Sequence, residues 1–266
     1  MQLPANPFKA ALQQAAPQYG IWAGMASPYA AEILATTGHD WILLDGEHAP
    51  NTVPTLLGQL QALAPYPMHP VLRIPTADPV LIKQALDIGA QTLMVPMVET
   101  AAQAMALVRA MRYPPAGIRG VGGGLVRASR WDTVPDYIRQ ADQQLCLLVQ
   151  IESVAGVENA AQIAAVEGVD AIFIGPADLS TSMGHAGDAS HAEVQERIRH
   201  TIACCLEQGK ACGILAPREE DARRYAAWGC SFIAISIDIS LLRQAAQHSL
   251  ARFHQPLSPP NVSHSY

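Results

Sequence analysis

The chain has 266 residues, a formal net charge of −6, and a composition that is 50% hydrophobic but only 6% aromatic. This length fits one large α/β barrel or two modest domains, and the acidic balance without a basic cluster argues against a nucleic-acid partner. No apolar run reaches the ~18 residues of a membrane span, and the first residues lack the basic and apolar regions of a signal peptide, so we expect a cytoplasmic protein with no membrane contact. Five cysteines in apolar runs, with no C-x-x-C pair among them, predict buried, reduced thiols rather than a zinc site.

Eight apolar runs, each suited to a buried parallel strand, alternate with helix-length segments along the chain. The predicted strands are Tyr19–Ala23, Trp41–Asp45, Pro70–Ile74, Thr92–Pro96, Cys146–Ile151, Ala171–Gly175, Ala211–Leu215 and Phe232–Ser236. Three of the helices between them begin at residues that favour helix N-termini, namely Ser27, Asp78 and Thr100. Eight such units in this length predict a (β/α)8 TIM barrel. The alternative is a doubly wound open sheet, but no strand is followed by a G-x-G-x-x-G segment.

Two segments depart from the strand–helix repeat. Residues 113–137 form a long, glycine-containing connection, which is typical of a functional lid or of a disordered stretch. The last helix, from Leu241 to Phe253, carries an apolar stripe that could pack on its own barrel or on a neighbouring subunit. We therefore expect a single barrel domain over residues 1–253, followed by a flexible, proline-rich tail over residues 254–266.

In a barrel of this kind the chemistry lies at the carboxyl ends of the strands, so the residues that follow each strand form the candidate site. The polar residues there are Asp45, Glu47, His48, Arg73, Gln150, Glu152, Asp178, Ser236 and Asp238. Two carboxylates on one rim, Glu152 and Asp178, suit a hard divalent cation such as Mg²⁺ or Mn²⁺. Structural interpretations stay open as well, because the acids could cap helix N-termini and Arg73 could brace the barrel rim.

In combination these segments resemble the motifs of the metal-dependent (class II) 2-keto-3-deoxy-acid aldolases. The segments that carry the resemblance are Asp45-Gly46-Glu47-His48, Arg73, Tyr113 to Gly122, Gln150-Ile151-Glu152 and Gly175 to Ser180. The similarity extends over residues 6–253 and is strongest to the branch of the family that cleaves 4-hydroxy-2-oxoheptanedioate in aromatic-compound breakdown. One departure is the Gly123-Gly124 pair, which stands where relatives often have Ser-Ala and bears on the lid or on aldehyde preference.

The resemblance implies a barrel of the phosphoenolpyruvate/pyruvate type and reversible cleavage of a 4-hydroxy-2-oxo acid to pyruvate and an aldehyde, here succinate semialdehyde. It implies a divalent ion (Mg²⁺, Mn²⁺ or Co²⁺) on Glu152 and Asp178 as the electron sink for the pyruvate enolate. Arg73 would hydrogen-bond the enolate oxygen. His48 would act as the base, with its basicity raised by Asp87. The implied substrate contacts are Gln150, Ala177, Asp178 and Leu215.

The lysines give an independent test of this mechanism, because aldolases without a metal use a lysine Schiff base as the electron sink. The chain has Lys9, Lys83 and Lys210 and no other lysine. They lie before the first predicted strand, within a helix, and at the start of the seventh strand. None of these positions is on the rim that carries the polar residues, so the lysine mechanism is disfavoured.

Three other functions stay open. An aldolase for keto-deoxy sugar acids such as 2-dehydro-3-deoxyglucarate would use the same residues. A carbon–carbon lyase for acyl-CoA thioesters would need a phosphate site, to which Arg119, Arg127 and Arg130 could contribute. A non-enzymatic metabolite-binding barrel would not need a base, a donor and paired acids together. The resemblance also implies a homo-oligomer of hexameric type.

Overall fold

The computed structural model describes residues 1–14 and 16–254, and its core is a closed barrel of eight parallel strands in chain order. The strands are β1 (Gln18–Ala23), β2 (Trp41–Asp45), β3 (His69–Arg73), β4 (Thr92–Val95), β5 (Cys146–Ile151), β6 (Ala171–Ile174), β7 (Ala211–Leu215) and β8 (Phe232–Ile237). Because β1 is hydrogen-bonded to both β2 and β8, the sheet has no free edge. The predicted TIM barrel is confirmed, and the open-sheet alternative is wrong.

Helices follow the strands and surround the barrel. They are α1 (Pro7–Ala11), α2 (Pro28–Ala35), α3 (Val53–Leu63), α4 (Pro79–Asp87), α5 (Ala101–Met111), α6 (Tyr137–Gln144), α7 (Val154–Glu158), α8 (Ala160–Ala164), α9 (Pro176–Ser182), α10 (Ala192–Glu207), α11 (Glu219–Trp228) and α12 (Asp238–His254). The three N-caps expected from the sequence are confirmed, since Ser27, Asp78 and Thr100 each accept a backbone N–H of the following turn. None of the described helices has the length and apolarity needed to cross a membrane.

Large side chains fill the inside of the barrel and close its amino end. Phe8 of α1 packs edge-on against Trp41 and Phe232, with ring centres 5.8 and 5.5 Å away. Gly20 makes room for the Trp41 ring, because a Cβ at that position would overlap the indole. Burying each such aromatic side chain contributes about 1.5–3 kcal/mol. This packing fills the amino end of the barrel interior.

The connection over residues 113–137 is a packed structure rather than a disordered stretch. Its small core contains Tyr113, Val134 and Tyr137. Arg119 is fully buried, with its guanidinium carbon 4.5 Å from the Tyr113 ring centre. Arg127 donates to the carbonyl of Ile88 at 2.9 Å, which fixes the connection to the end of α4. This contact places the connection over residues 113–137 at the amino end of the strands.

The last helix begins earlier than predicted, at Asp238. The Asp238 carboxylate accepts the N–H groups of Gly24 and Met25 at 2.9 and 3.1 Å, which fastens the start of α12 to the end of β1. The predicted apolar stripe does not pack on its own barrel, since Leu242 is 61% and Phe253 83% exposed. Packing on a neighbouring subunit stays a prediction. The predicted flexible tail, apart from His254 at the end of α12, lies outside the described residues.

The cysteines agree with the sequence prediction. All five are buried and free of disulfides, namely Cys146, Cys204, Cys205, Cys212 and Cys230.

Candidate active site

A cavity of about 300 Å³ opens at the carboxyl ends of the strands. Predicted site residues that line it are His48, Arg73, Gln150, Ala177, Asp178 and Leu215. The connection over residues 113–137, all of which the structure describes, does not line it, so the predicted lid does not cover the cavity of its own chain. Another cavity, of about 220 Å³, lies at the opposite end and has no carboxylate among the described residues that line it. The first cavity is therefore the candidate active site.

Asp45 is a buried carboxylate that organises one wall of this cavity. It accepts hydrogen bonds from Arg73 Nε at 3.0 Å, from Arg73 Nη2 at 2.6 Å and from Trp22 Nε1 at 3.0 Å. Burial opposes its ionisation, but the hydrogen bonds and the charge of Arg73 outweigh burial and lower the pKa of Asp45. Asp45 is thus an ionised partner that fixes the plane of the guanidinium.

Arg73 ends β3 and is only 5% exposed. Its Nη1 also lies 2.7 Å from Oε2 of Glu47, although this ion pair lacks hydrogen-bond alignment. Its guanidinium carbon lies 4.7 Å from the ring centre of Trp22. Because a guanidinium carries five N–H donors, N–H groups on Nη1 and Nη2 are left for a ligand. Arg73 can therefore brace the rim between β2 and β3 and still donate into the cavity.

His48 stands in the turn after β2, with its side chain 67% exposed. The turn is held in place because the N–H groups of Glu47 and His48 both donate to Oδ1 of Asp45, at 2.9 and 3.2 Å. The nearest carboxylate is that of Glu47, whose Oε2 lies 3.9 Å from His48 Nε2. Burial raises the pKa of Glu47, although the charges of Arg73 and His48 act against this. Glu47 is thus the carboxylate that faces the His48 imidazole.

The predicted pairing of Asp87 with His48 is not made within this chain. Asp87 is the last residue of α4, and the helices return the chain to the amino ends of the strands, away from the cavity. There its Oδ1 accepts a hydrogen bond from the buried guanidinium of Arg119 at 2.8 Å. Within the chain, Asp87 thus anchors the connection over residues 113–137, and Glu47 is the acid that faces His48.

Glu152 directly follows β5 and is 3% exposed. Its Oε1 accepts the backbone N–H of Met97 at 2.8 Å, and its Oε2 accepts Nε2 of Gln150 at 2.5 Å. The helix-cap interpretation fails for this acid, because Ser153 caps α7 instead. Burial is the main cause that raises the pKa of Glu152, and the carboxylates of Asp178 and Glu47 add to it.

Ala177 and Asp178 form the first turn of α9, beside the cavity and exposed to it. The N-cap position of α9 belongs to Gly175, so Asp178 is not the cap. Backbone N–H groups in the first turn of a helix have no partner inside the helix. The turn therefore offers the carboxylate of Asp178 and, separately, backbone N–H groups that can donate to the carboxylate of a ligand.

This arrangement fits a divalent cation held by Glu152 and Asp178. The carboxylate of Asp178 is close enough to help raise the pKa of both Glu47 and Glu152. Across the described residues, no arginine or lysine forms an ion pair with Glu152 or Asp178. A hard cation with oxygen ligands would supply the missing positive charge, and ligand oxygens and water would complete its coordination.

Two backbone features that sequence reasoning missed shape this site. A Cβ at Gly175 would lie 2.5 Å from Oε2 of Glu152, so only glycine leaves room for the carboxylate. Met97, whose N–H binds Glu152, has the left-handed φ of 55°, which is strained for a methionine. The Gly175-Pro176 pair could have indicated the close approach at Gly175, whereas nothing in the sequence around Met97 predicts its positive φ.

Comparison with known proteins agrees with this geometry. Residues 18–245 match the family described as HpcH/HpaI aldolase/citrate lyase. The chain is 76% identical over 253 residues to a hydroxypyruvate/pyruvate aldolase of Delftia acidovorans, covering 95% of this chain and 94% of the relative. It is 56% identical over 248 residues to a 4-hydroxy-2-oxo-heptane-1,7-dioate aldolase of Escherichia coli, covering 93% and 95%.

A solved structure gives the same result for the fold. The crystal structure of an HpcH/HpaI aldolase/citrate lyase family protein from Burkholderia cenocepacia superposes with a TM-score of 0.92 at 41% sequence identity. The match covers 94% of this chain and 100% of that protein. The barrel, the acidic rim and these similarities together show that the chain is an aldolase of the HpcH/HpaI aldolase/citrate lyase family.

Proposed function

We propose that the chain is a divalent-metal-dependent aldolase that joins pyruvate or hydroxypyruvate to an aldehyde and reverses the same reaction. The observation that carries the proposal is the convergence of Arg73, His48, Glu152 and Asp178 at one end of the barrel. Arg73 and His48 supply a fixed donor and a candidate base. Glu152 and Asp178 supply two carboxylates that pair with no arginine or lysine among the described residues. None of the three lysines lines the cavity, which supports the metal mechanism over a Schiff base.

The residues divide the reaction between them. A divalent cation bound at Glu152 and Asp178 supplies Lewis acidity toward the 2-oxo acid. The free N–H groups of Arg73 donate to the oxygen on which negative charge develops when C3 is deprotonated or when the C3–C4 bond breaks. Gln150 and the amides of Ala177 and Asp178 orient the substrate carboxylate.

His48 handles the proton at the other end of the breaking bond. In the cleavage direction it accepts the proton of the C4 hydroxyl, so that the carbonyl of the aldehyde product can form. In the synthetic direction it returns that proton to the new alkoxide. In either direction, the carboxylate of Glu47, which lies 3.9 Å from His48, stabilises the imidazolium form of His48 while it holds the proton.

The cavity favours short aldehydes without a second carboxylate. Arg73 is the only arginine or lysine among the described residues that line it, and the carboxylates of Asp45 and Glu47 already face that guanidinium. Apolar side chains, including Trp22, Leu215 and Ile237, form much of the remaining wall. Two relatives named hydroxypyruvate/pyruvate aldolase are 76% and 66% identical to this chain, and a third is 56% identical, as is the relative named for the heptanedioate.

A donor and acceptor panel tests this proposal. Initial condensation rates are measured with pyruvate and with hydroxypyruvate, each against glycolaldehyde and succinate semialdehyde, with Mg²⁺ or Mn²⁺ present. We expect a higher kcat/KM for glycolaldehyde with either donor. A clear preference for succinate semialdehyde would instead support the second candidate, 4-hydroxy-2-oxoheptanedioate cleavage, which the Escherichia coli relative favours. No condensation with any pair would reject the aldolase assignment of this site.

We also propose that the chain forms a homo-oligomer in which α12 is covered. The support is its exposed apolar stripe, since Leu242, Leu250 and Phe253 are 61%, 61% and 83% exposed. Light scattering of the wild type and of Leu242→Glu checks this. A wild-type monomer at micromolar concentration would contradict it.

A further inference from the structure

The segment between α9 and α10 brings two histidines into contact. The N–H of His185 donates to the carbonyl of Ser180 at 2.8 Å, and the N–H of Asp188 donates to the carbonyl of His185 at 2.9 Å. A second turn follows, in which the N–H of His191 donates to the carbonyl of Asp188 at 3.2 Å. These consecutive turns stack the rings of His185 and His191 with their centres 3.6 Å apart and their planes 17° from parallel.

A carboxylate completes the cluster. Glu193, in the first turn of α10, places Oε2 3.2 Å from Nε2 of His185. His185, His191 and Glu193 each offer one ligand atom, and these atoms all lie within 4.8 Å of one another. The two histidines are half-buried and Glu193 is 70% exposed, so the cluster is open to a metal ion from solvent. Its three residues lie outside the aldolase cavity.

The spacing of the cluster is compatible with a shared metal ion. A charge-assisted N–H···O bond is normally 2.7–2.9 Å long, and the His185–Glu193 contact is longer. Two ligands bound to a tetrahedral ion at ~2.1 Å lie about 3.4 Å apart. The 3.4 Å contact between Nδ1 of His191 and the N–H of Glu193 is weak, so this ring can turn toward an ion.

We propose that His185, His191 and Glu193 bind a transition-metal ion such as Zn²⁺ or Co²⁺, with water at the fourth position. Two imidazoles and one carboxylate favour such ions over Mg²⁺, which takes oxygen ligands and keeps its water. The site is thus chemically distinct from the carboxylate pair at Glu152 and Asp178. The bound ion links the segment after α9 to the start of α10. The N-terminus of α10 carries partial positive charge, which repels a cation, and the negative charge of the Glu193 carboxylate offsets this repulsion.

The chain also offers a rival zinc-binding pair, which serves as the control. Nε2 of His200 lies 3.5 Å from Sγ of Cys204, one turn apart on α10. Burial raises the pKa of the Cys204 thiol, which disfavours the thiolate that zinc requires. His200→Ala therefore removes a histidine from the same helix without touching the proposed site.

Zinc binding to the full chain, measured by equilibrium dialysis, tests the proposal. The wild type should hold one more zinc ion per chain than His185→Ala or His191→Ala, whereas His200→Ala should match the wild type. Glu152→Gln should retain this additional ion, and Glu152→Gln combined with His185→Ala should bind none. Glu193→Gln, which keeps the shape of the side chain, should weaken zinc binding at the site at least as much as the roughly 10–100-fold typical of losing an outer-shell partner.

Mg²⁺-dependent aldol activity shows that the histidine variants are folded, because these residues take no part in the reaction. If a histidine variant does not fold, Glu193→Gln carries the test alone. Equal zinc binding by wild type, His185→Ala and Glu193→Gln would overturn the proposal. An equal loss in His200→Ala would overturn it as well and would assign the metal to Cys204.

Discussion

The carboxylate of Asp45 holds the guanidinium of Arg73 through two hydrogen bonds, of 3.0 Å from Nε and 2.6 Å from Nη2. The same carboxylate accepts the backbone N–H groups of Glu47 and His48. One acid therefore positions both the donor for the developing negative charge and the turn that carries the base. This arrangement explains how His48 and Arg73, which are 25 positions apart in the sequence, act at one place.

Arg73→Ala should abolish both the exchange of pyruvate methyl protons with D₂O and aldol cleavage. Both processes pass through the enolate, and losing one such donor costs about 10²–10³ in rate. Arg73→Lys should recover little, because an ammonium cannot reproduce the two hydrogen bonds to Asp45. Proton NMR of the pyruvate methyl signal, with and without aldehyde, checks this. Normal exchange in Arg73→Ala would remove Arg73 from the chemistry.

His48→Ala should separate these two processes. Cleavage should fall by about 10²–10⁴, the usual contribution of a general base. The exchange of pyruvate methyl protons should fall less. This exchange involves no C4 hydroxyl, so water can replace His48 as the base. The ratio of the two rates in the variant and in the wild type is the measurement. If both proteins cleave at the same rate, the role of base passes to Glu47 or to water.

Glu152→Gln should stabilise the metal-free protein at neutral pH. Burial and the neighbouring acids raise the pKa of Glu152, so its ionised form destabilises the fold. That cost is present above the folded-state pKa and disappears as the pH falls below the unfolded value of about 4.3. A glutamine still accepts the Met97 N–H and can donate to the unpaired Oε1 of Gln150.

Thermal melting of both proteins across pH checks this expectation. A gain of about 1 kcal/mol would raise Tm by about 2–4 °C. The difference should close as the pH approaches 4.3 from above. Saturating Mg²⁺ should reverse the order, because it stabilises only the protein that binds it. Equal Tm values at every pH, with and without Mg²⁺, would show that ionised Glu152 does not destabilise the fold and that it binds no cation.

Gly175→Ala should weaken metal binding although it removes no ligand. Its Cβ would lie 2.5 Å from Oε2 of Glu152 and 3.0 Å from Nε2 of Gln150, so the carboxylate must move. Gly120→Ala is the matched control, since a Cβ there meets only the flexible Lys83 side chain, at 3.5 Å. Titration of the Mn²⁺ dependence of activity should show a higher requirement in Gly175→Ala alone. Equal Mn²⁺ requirements would contradict the close approach.

The barrel could be predicted because its signals are local. Continuous apolar runs marked all eight strands to within about two residues, and Asp78 and Thr100 marked helix starts through bonds to their own next turn. Parallel pairing then brought the strand-end residues to one rim without further information. This is why strand ends alone pointed to His48, Arg73, Gln150 and Asp178, whereas Ala177 and Leu215 were expected from the family resemblance.

Contacts between distant segments could not be predicted in this way. Asp87 meets Arg119, which lies 32 positions later, through an ion pair that no local pattern announces. The position of the connection over residues 113–137 at the amino end depends on that pair and on the Arg127–Ile88 contact. The positive φ of Met97 is likewise imposed by its surroundings rather than by its own residue type.

Aldol cleavage after exhaustive chelation, followed by metal addition, tests the central claim most directly. We expect EDTA to abolish activity, Mg²⁺, Mn²⁺ or Co²⁺ to restore it, and borohydride with pyruvate to leave the restored enzyme unharmed. In Glu152→Ala no metal should restore activity, because the ligand itself is missing. Full activity in the presence of chelator, or inactivation by borohydride trapping of pyruvate on a lysine, would contradict a metal site at Glu152 and Asp178.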